Sequence, residues 1–167
     1  MTKTMSFKFA LSLCCVLALA ACSKKSSTGL LEDTAGTTAG QAAPGSEQDF
    51  AVNVGDRIYF EEDKSALTAE AQETLKRQAQ WLQQYTNVSI QVEGHADERG
   101  TREYNIALSA RRATATREFL LAQGVDAARV SSIAYGKERP ASLCDSEQCW
   151  SQNRRAVTVI TGGAKTS

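Results

Sequence analysis

The sequence predicts an α+β domain, a two-layer sandwich in which helices cover one face of a mixed four-stranded sheet. Two observations predict this class. Four short segments are rich in β-branched and aromatic residues, and two long helical patterns separate the first three of them. The resulting order, βαβαβ-β, is typical of helices gathered on one side of a sheet.

The strands are short segments with a high density of large apolar side chains. In the second of them Val88, Ile90 and Val92 fall on one face, which is typical of a half-buried strand. The predicted strands cover residues 56–60 (DRIYF), 88–92 (VSIQV), 130–136 (VSSIAYG) and 154–161 (RRAVTVIT).

The helices are indicated by their ends as well as by their apolar spacing. Thr68 is a favourable N-cap residue, and apolar side chains follow it at helical intervals: Ala71, Leu75, Ala79 and Leu82. A second helix is predicted to begin at about Tyr104 and to stop at Gly124, since glycine is common just after a helix.

The first residues are typical of an export signal. Lys3 and Lys8 precede an apolar run over residues 9–21, which is too short to cross a membrane as a helix. The run ends in Leu-Ala-Ala-Cys, which resembles the bacterial lipobox; a plain cleavage site beside a cysteine is the alternative. We therefore expect a lipoprotein signal peptide over residues 1–21 and a lipid on Cys22.

The residues after the lipobox predict a destination and a tether. Ser23 stands where retention signals usually carry aspartate, so the lipobox resemblance implies an outer-membrane anchor with the domain facing the periplasm. Residues 22–49 are mostly small and polar, and such a segment cannot bury enough apolar surface to offset its ordering entropy. We expect a flexible tether there and a folded domain over residues 50–167.

Composition and cysteine content narrow the function classes. Lys and Arg total 19 and Asp and Glu total 19, so nothing indicates a generic nucleic-acid binder. After processing, Cys144 and Cys149 remain as an even pair in an oxidising compartment, which favours a disulfide closing a short loop.

One charged stretch, residues 94–113 (GHADERGTREYNIALSARRA), joins the second strand to the second helix. Most of its charges are interpreted as a solvated helix face, but Arg112 falls on an otherwise apolar arc and needs an anionic partner. Asp97, in the preceding loop, is the obvious partner, and the two could form a structural pair only. Alternatively, this loop position, the accessible N–H groups and the two charges suit a zwitterionic ligand such as an amino acid.

A metal centre or a hydrolase is the competing interpretation of the same stretch. It depends on His95, Asp97 and Glu98, but one histidine with adjacent carboxylates is a poor zinc set. No nucleophile–base or paired-carboxylate arrangement is suggested elsewhere in the sequence. We therefore expect no enzymatic activity, no cofactor and no metal.

With YF at 59–60, SIAYGKERP at 132–140 and NRRAV at 153–157, the stretch resembles the OmpA-like peptidoglycan-binding domain family over about residues 50–161. Family members hold the diaminopimelate of the peptidoglycan stem peptide without cleaving it. By motif position, the resemblance implies that Asp97 pairs the ligand's ammonium and Arg112 its carboxylate. It also implies pocket positions for Asn105, Leu108 and Phe60, and Arg155 as a weaker candidate.

This chain departs from the family pattern at two places. Glu62, in YFEEDKS, replaces the second aromatic residue that related lipoproteins often carry after the first strand, which puts one pocket wall in doubt. The loop between Cys144 and Cys149 is not part of the pattern, and the sequence assigns it no function.

The resemblance also implies a cellular role. Lipid-anchored members tether the outer membrane to the cell wall within the Tol-Pal system, in association with TolB and other Tol components, and support envelope integrity and constriction at division. The alternative is a protein-interaction module whose main ligand is TolB or another envelope protein. A stator-like motor anchor is disfavoured, because such proteins carry a transmembrane helix in place of a lipobox.

Overall fold

The computed structural model describes residues 42–166. The predicted signal peptide, Cys22 and the tether up to residue 41 lie outside the described residues. Within residues 42–166, no helix combines the length and the apolar character that crossing a membrane requires.

The described residues form one four-stranded sheet with the long helices packed against it. Strand β4 lies between β1 and β2 and runs antiparallel to both, whereas β3 pairs in parallel with β2, so the sheet is mixed. The predicted α+β fold is confirmed. The elements are α1 (Glu47–Asp49), β1 (Arg57–Tyr59), α2 (Ala69–Gln84), β2 (Ser89–His95), α3 (Arg102–Ala122), β3 (Val130–Gly136), α4 (Glu147–Asn153) and β4 (Arg155–Gly162).

The two long helices begin at side-chain caps. The Thr68 hydroxyl accepts a hydrogen bond from the Ala71 N–H at the start of α2, as the sequence predicts. Helix α3 begins two residues before its predicted start, because the Thr101 hydroxyl caps it by accepting from the Tyr104 N–H. It ends close to Gly124, whose positive φ of 94° suits glycine.

The folded unit begins before residue 50, where the sequence placed the domain boundary. The Ser46 hydroxyl caps α1, and the Trp81 indole N–H donates to the Asp49 carboxylate at 2.8 Å. Phe50 is buried, with its ring 4.9 Å from that of Trp81. Residues 46–49 are therefore part of the fold, because long-range contacts to α2 hold a segment whose composition predicted a tether.

Helix α4 was not predicted from the sequence. It has only seven residues and little apolar spacing, and it follows a short loop closed by a disulfide between Cys144 and Cys149. The first turn of α4 contains Cys149, so the disulfide fixes the entry to the helix and the orientation of its side chains.

Close approach of α3 to β2 determines where the charged loop lies. A Cβ added at Gly94 would be 2.0 Å from the backbone oxygen of Ser109, so only glycine permits this separation. The approach brings the N-terminal half of α3 over the carboxyl end of β2. Residues 96–101 join the two elements, and Arg99 among them contacts Glu62 in the segment after β1.

Candidate functional site

The loop between β2 and α3 is fixed from two sides. From the turn after β3, the Lys137 ammonium donates to the backbone oxygens of Glu98 at 3.0 Å and Gly100 at 2.9 Å. From α3, the buried Asn105 amide donates to the backbone oxygen of Arg99 at 2.7 Å. These contacts hold the charged side chains of the loop in a defined arrangement.

Asp97 is the acidic centre of this arrangement, and its side chain is nearly buried. The Arg99 guanidinium donates to both carboxylate oxygens, with Nη2 2.7 Å from Oδ2 and Nε 3.3 Å from Oδ1. The Arg154 guanidinium lies 3.5 Å from Oδ2. Burial raises the pKa of Asp97, but the hydrogen bonds from Arg99 outweigh it, so the pKa lies below its usual value and the group is ionised at neutral pH.

Two further side chains from α4 complete the charge network. The Trp150 ring lies against the Arg99 guanidinium, 4.3 Å from its centre, and its indole N–H donates to the Glu98 carboxylate. The Glu147 carboxylate pairs with Arg154. The disulfide-closed segment, to which the sequence assigned no role, therefore lies at this site.

Arg112 has different partners from those that the sequence predicted. Its guanidinium is completely buried and donates to three backbone oxygens, those of Lys64 at 2.8 Å, His95 at 2.9 Å and Glu61 at 3.2 Å. Among the described residues, the salt bridges of Asp97 are to Arg99 and Arg154 and not to Arg112. Burial lowers the pKa of Arg112 to about 10, with the Asp97 charge opposing the shift.

A cavity of about 250 Å³ opens over Asp97. Of the predicted pocket residues, Asn105 and Leu108 line it together with Asp97. Phe60 and Arg112 do not line it: Phe60 lines a separate groove between β1 and α2, and its ring lies 5.1 Å from the Arg112 guanidinium. The lining residues are Glu62, Asp63, Asp97, Arg99, Gly100, Tyr104, Asn105 and Leu108. A groove of about 310 Å³ lies between β1 and α2; we place the site in the smaller cavity, because it contains Asp97.

The structure separates the two adjacent arginines of the NRRAV motif. Arg154 is the one that contacts Asp97, and its Nε also donates to the Phe60 oxygen. Arg155, the residue that the resemblance implied, is the first residue of β4 and its guanidinium donates to the Arg139 oxygen instead. The structure therefore does not bring Arg155 into the cavity, because successive side chains of a strand point to opposite faces of the sheet.

His95 is buried beside this site without a hydrogen bond to its ring. Within residues 42–166, neither ring nitrogen has a hydrogen-bond partner, and the nearest carboxylate oxygen, from Glu93, is 3.6 Å from Nε2. Burial lowers the pKa of His95 to about 4, and the charges of Arg155 and Arg139 add to this shift. His95 is thus a buried side chain that is neutral at pH 7.

The His95 pKa predicts how stability depends on pH. The folded-state pKa lies below the ordinary value of 6.5, so the unfolded chain binds a proton first as the pH falls, and stability present above pH 6.5 is lost below it. Between pH 7 and pH 5 we expect the free energy of unfolding to fall by about 2 kcal/mol. Urea unfolding at both pH values measures this change.

His95→Phe provides the control for that measurement. A phenyl ring of similar size needs no hydrogen bonds and does not titrate, and the chain contains one histidine. The variant should therefore fold and should lose most of the difference between pH 7 and pH 5. A difference equal to that of the wild type would show that other groups cause it.

Metal coordination receives no support from this part of the chain. Among residues 42–166, no group of three or more His, Cys, Asp or Glu side chains is placed to hold an ion. What the cavity offers is an ionised carboxylate, an amide and a partly exposed arginine, a set suited to binding a small charged ligand by hydrogen bonds.

Four residues of the site were not predicted from the sequence. Arg99, Arg154, Glu147 and Trp150 are adjacent to predicted positions or in an unassigned loop. Strand alternation in NRRAV could have distinguished Arg154 from Arg155, because it makes one of the two arginines face the helices and the other face away.

Comparisons with known proteins agree with the fold and the motifs. The OmpA family model matches residues 59–155. The peptidoglycan-associated lipoprotein of Agrobacterium fabrum is 60% identical over 87% of this chain and 83% of its own length. That of Brucella melitensis is 56% identical over 93% of both chains.

Solved structures give the same result. The crystal structure of the peptidoglycan-associated lipoprotein from Burkholderia pseudomallei superposes with a TM-score of 0.65 and 35% identity, covering 69% of this chain and 99% of that one. The C-terminal domain of Helicobacter pylori MotB superposes with a TM-score of 0.60 and 25% identity, covering 64% of this chain and 84% of that one.

Proposed function

We propose that this chain, which belongs to the OmpA family as one of its peptidoglycan-associated lipoproteins, binds the diaminopimelate of the peptidoglycan stem peptide. The folded domain binds it, and no covalent bond is formed. The observation that carries the proposal is the ionised, nearly buried Asp97 at the base of an open cavity. A carboxylate in such a place favours a ligand that brings an ammonium group.

The remainder of the cavity suits the rest of such a ligand. Leu108 offers apolar contact for a methylene chain, and Asn105 holds the loop that carries Asp97. In this proposal Arg112, which does not line the cavity, acts on the ligand's carboxylate through its charge while it stays bound to its three backbone partners. One small polar cavity gives modest affinity, and many copies on one membrane raise the total attachment by effective concentration.

The cellular role follows from the two ends of the chain. A lipid on Cys22 would hold one end in the outer membrane, and the domain at the other end would hold the wall. Reversible binding would let the protein release and rebind as the envelope grows. We infer that this tether operates within the Tol-Pal system, in association with TolB and other Tol components, during constriction at division.

Asp97→Asn tests the site directly. The amide keeps the shape of the side chain but removes the charge that binds the ammonium, so we expect binding to purified sacculi to weaken at least about tenfold. Co-sedimentation of the mature protein in detergent with sacculi measures it, and circular dichroism monitors the fold. Glu118→Gln, which removes a carboxylate charge at an exposed residue of α3, is the matched control. Equal binding by the folded Asp97→Asn variant would refute the assignment.

A further inference from the structure

The Asp97 carboxylate has no free acceptor position in this structure. Oδ1 accepts from the Arg99 backbone N–H at 3.2 Å and from Arg99 Nε at 3.3 Å. Oδ2 accepts from Arg99 Nη2 at 2.7 Å and from Arg154 Nη1 at 3.5 Å. A carboxylate has about four lone-pair sites, so an incoming ammonium must replace one of these donors.

Of the two arginines, Arg99 is the one that can leave. Its side chain is 32% exposed and lines the cavity, whereas that of Arg154 is 7% exposed and is also held by the Phe60 oxygen and Glu147. Removing Arg154 from Asp97 would require rearranging buried groups. Removing Arg99 breaks its paired hydrogen bonds to Asp97 but rearranges no buried group.

Two side chains besides Asp97 contact the Arg99 guanidinium. Glu62 accepts from Arg99 Nη1 at 2.8 Å, and its own side chain is 65% exposed. The Trp150 ring lies against the guanidinium, with the guanidinium carbon 4.3 Å from the ring centre. Glu62 is the residue that replaces an aromatic side chain of the family pattern, and this ion pair gives that departure a physical role.

We propose that Arg99 is an internal counter-ion that competes with the ligand's ammonium for Asp97, and that the Glu62 ion pair and the Trp150 contact set the strength of this competition. The proposal rests on the proposed function, because it concerns the same cavity. Arg99 imitates the cationic end of an amino-acid ligand while the site is free. A ligand therefore binds only if its ammonium and its other contacts stabilise the complex by more than the paired hydrogen bonds from Arg99 to Asp97 stabilise the free site.

The consequence is a selectivity filter as well as a lower affinity. A neutral group in place of the ammonium cannot compensate Asp97 for losing a charge-assisted hydrogen bond, so Arg99 keeps such ligands out. A cation without further contacts gains little, because it only exchanges one partner of Asp97 for another. The arrangement favours a ligand that offers an ammonium and neighbouring polar groups together.

Arg99→Gln tests the proposal, and it should tighten binding. Loss of a partly exposed competing ion pair should lower both the apparent Kd for sacculi and the directly measured Kd for free meso-diaminopimelate, by about three- to tenfold. Arg99→Lys keeps the charge but loses the fork, and its binding should lie between those of Arg99→Gln and the wild type. Arg102→Gln, which removes an exposed arginine paired with Glu138, is the matched control and should change neither value.

The outcomes separate this inference from the proposed function. If the wild type binds sacculi and a folded Arg99→Gln variant binds equally well or more weakly, Arg99 is not a competitor and the inference fails while the proposed function stands. If neither the wild type nor any variant binds, the proposed function fails and the inference fails with it. Binding by Arg99→Gln alone would support both.

Discussion

Replacing Arg112 by alanine is expected to lower the free energy of unfolding by about 3 kcal/mol, because it leaves buried carbonyl groups without donors. The guanidinium is completely buried and donates to the backbone oxygens of Lys64, His95 and Glu61. Those oxygens belong to the end of β2 and to the segment after β1. Arg112 therefore ties the two chain segments around the site to α3, and urea unfolding measures what this contributes.

Arg111→Ala is the matched control, since Arg111 is the neighbouring arginine on the exposed side of α3. It should change stability by less than about 0.5 kcal/mol. Similar stability of the two variants would contradict the structural role of Arg112. Lost wall binding by an Arg112 variant would therefore indicate a disturbed fold before it indicated a lost ligand contact. Asp97 variants test the ligand contact itself.

Replacing Gly94 by alanine is expected to cost about 3 kcal/mol of stability and to abolish binding. The added methyl group would meet the Ser109 backbone oxygen at 2.0 Å and the Ala113 Cβ at 3.1 Å. A backbone oxygen cannot rotate away, so α3 and β2 must separate. Because the loop that carries Asp97 joins these two elements, the separation displaces the carboxylate from the cavity.

Gly162→Ala is the control for this prediction, because a methyl group there meets nothing within 4 Å. Thermal unfolding of both variants should show a clear loss only for Gly94→Ala. Wild-type stability and wild-type sacculus binding of Gly94→Ala would mean that the close approach of α3 to β2 is not required.

Much of the fold could be predicted because its signals are local. Apolar alternation gave the strands, and the N-cap residue Thr68 gave the start of α2. The start of the folded unit and helix α4 could not be predicted in this way. They depend on Trp81 reaching Asp49 and on a disulfide across a short polar loop, which are long-range or covalent contacts.

The site shows the same division. Asp97 and Arg112 could be singled out, one by its loop position and the other by its place on an apolar helix arc. The partners of Arg112 could not, because they are backbone oxygens, and every residue carries one. The hydrogen bonds from Arg99 to Asp97 depend on the turn of the loop and on Trp150 from α4. They could therefore not be predicted from periodicity or motif spacing.

Co-sedimentation of the mature protein with purified sacculi, with and without free meso-diaminopimelate, tests the central claim most directly. The protein should pellet with sacculi, and diaminopimelate should release it into the supernatant, because both compete for the Asp97 cavity. A folded protein that stays in the supernatant would contradict wall binding and would favour a protein partner such as TolB as the main ligand. Pelleting that diaminopimelate does not reverse would contradict the assigned ligand.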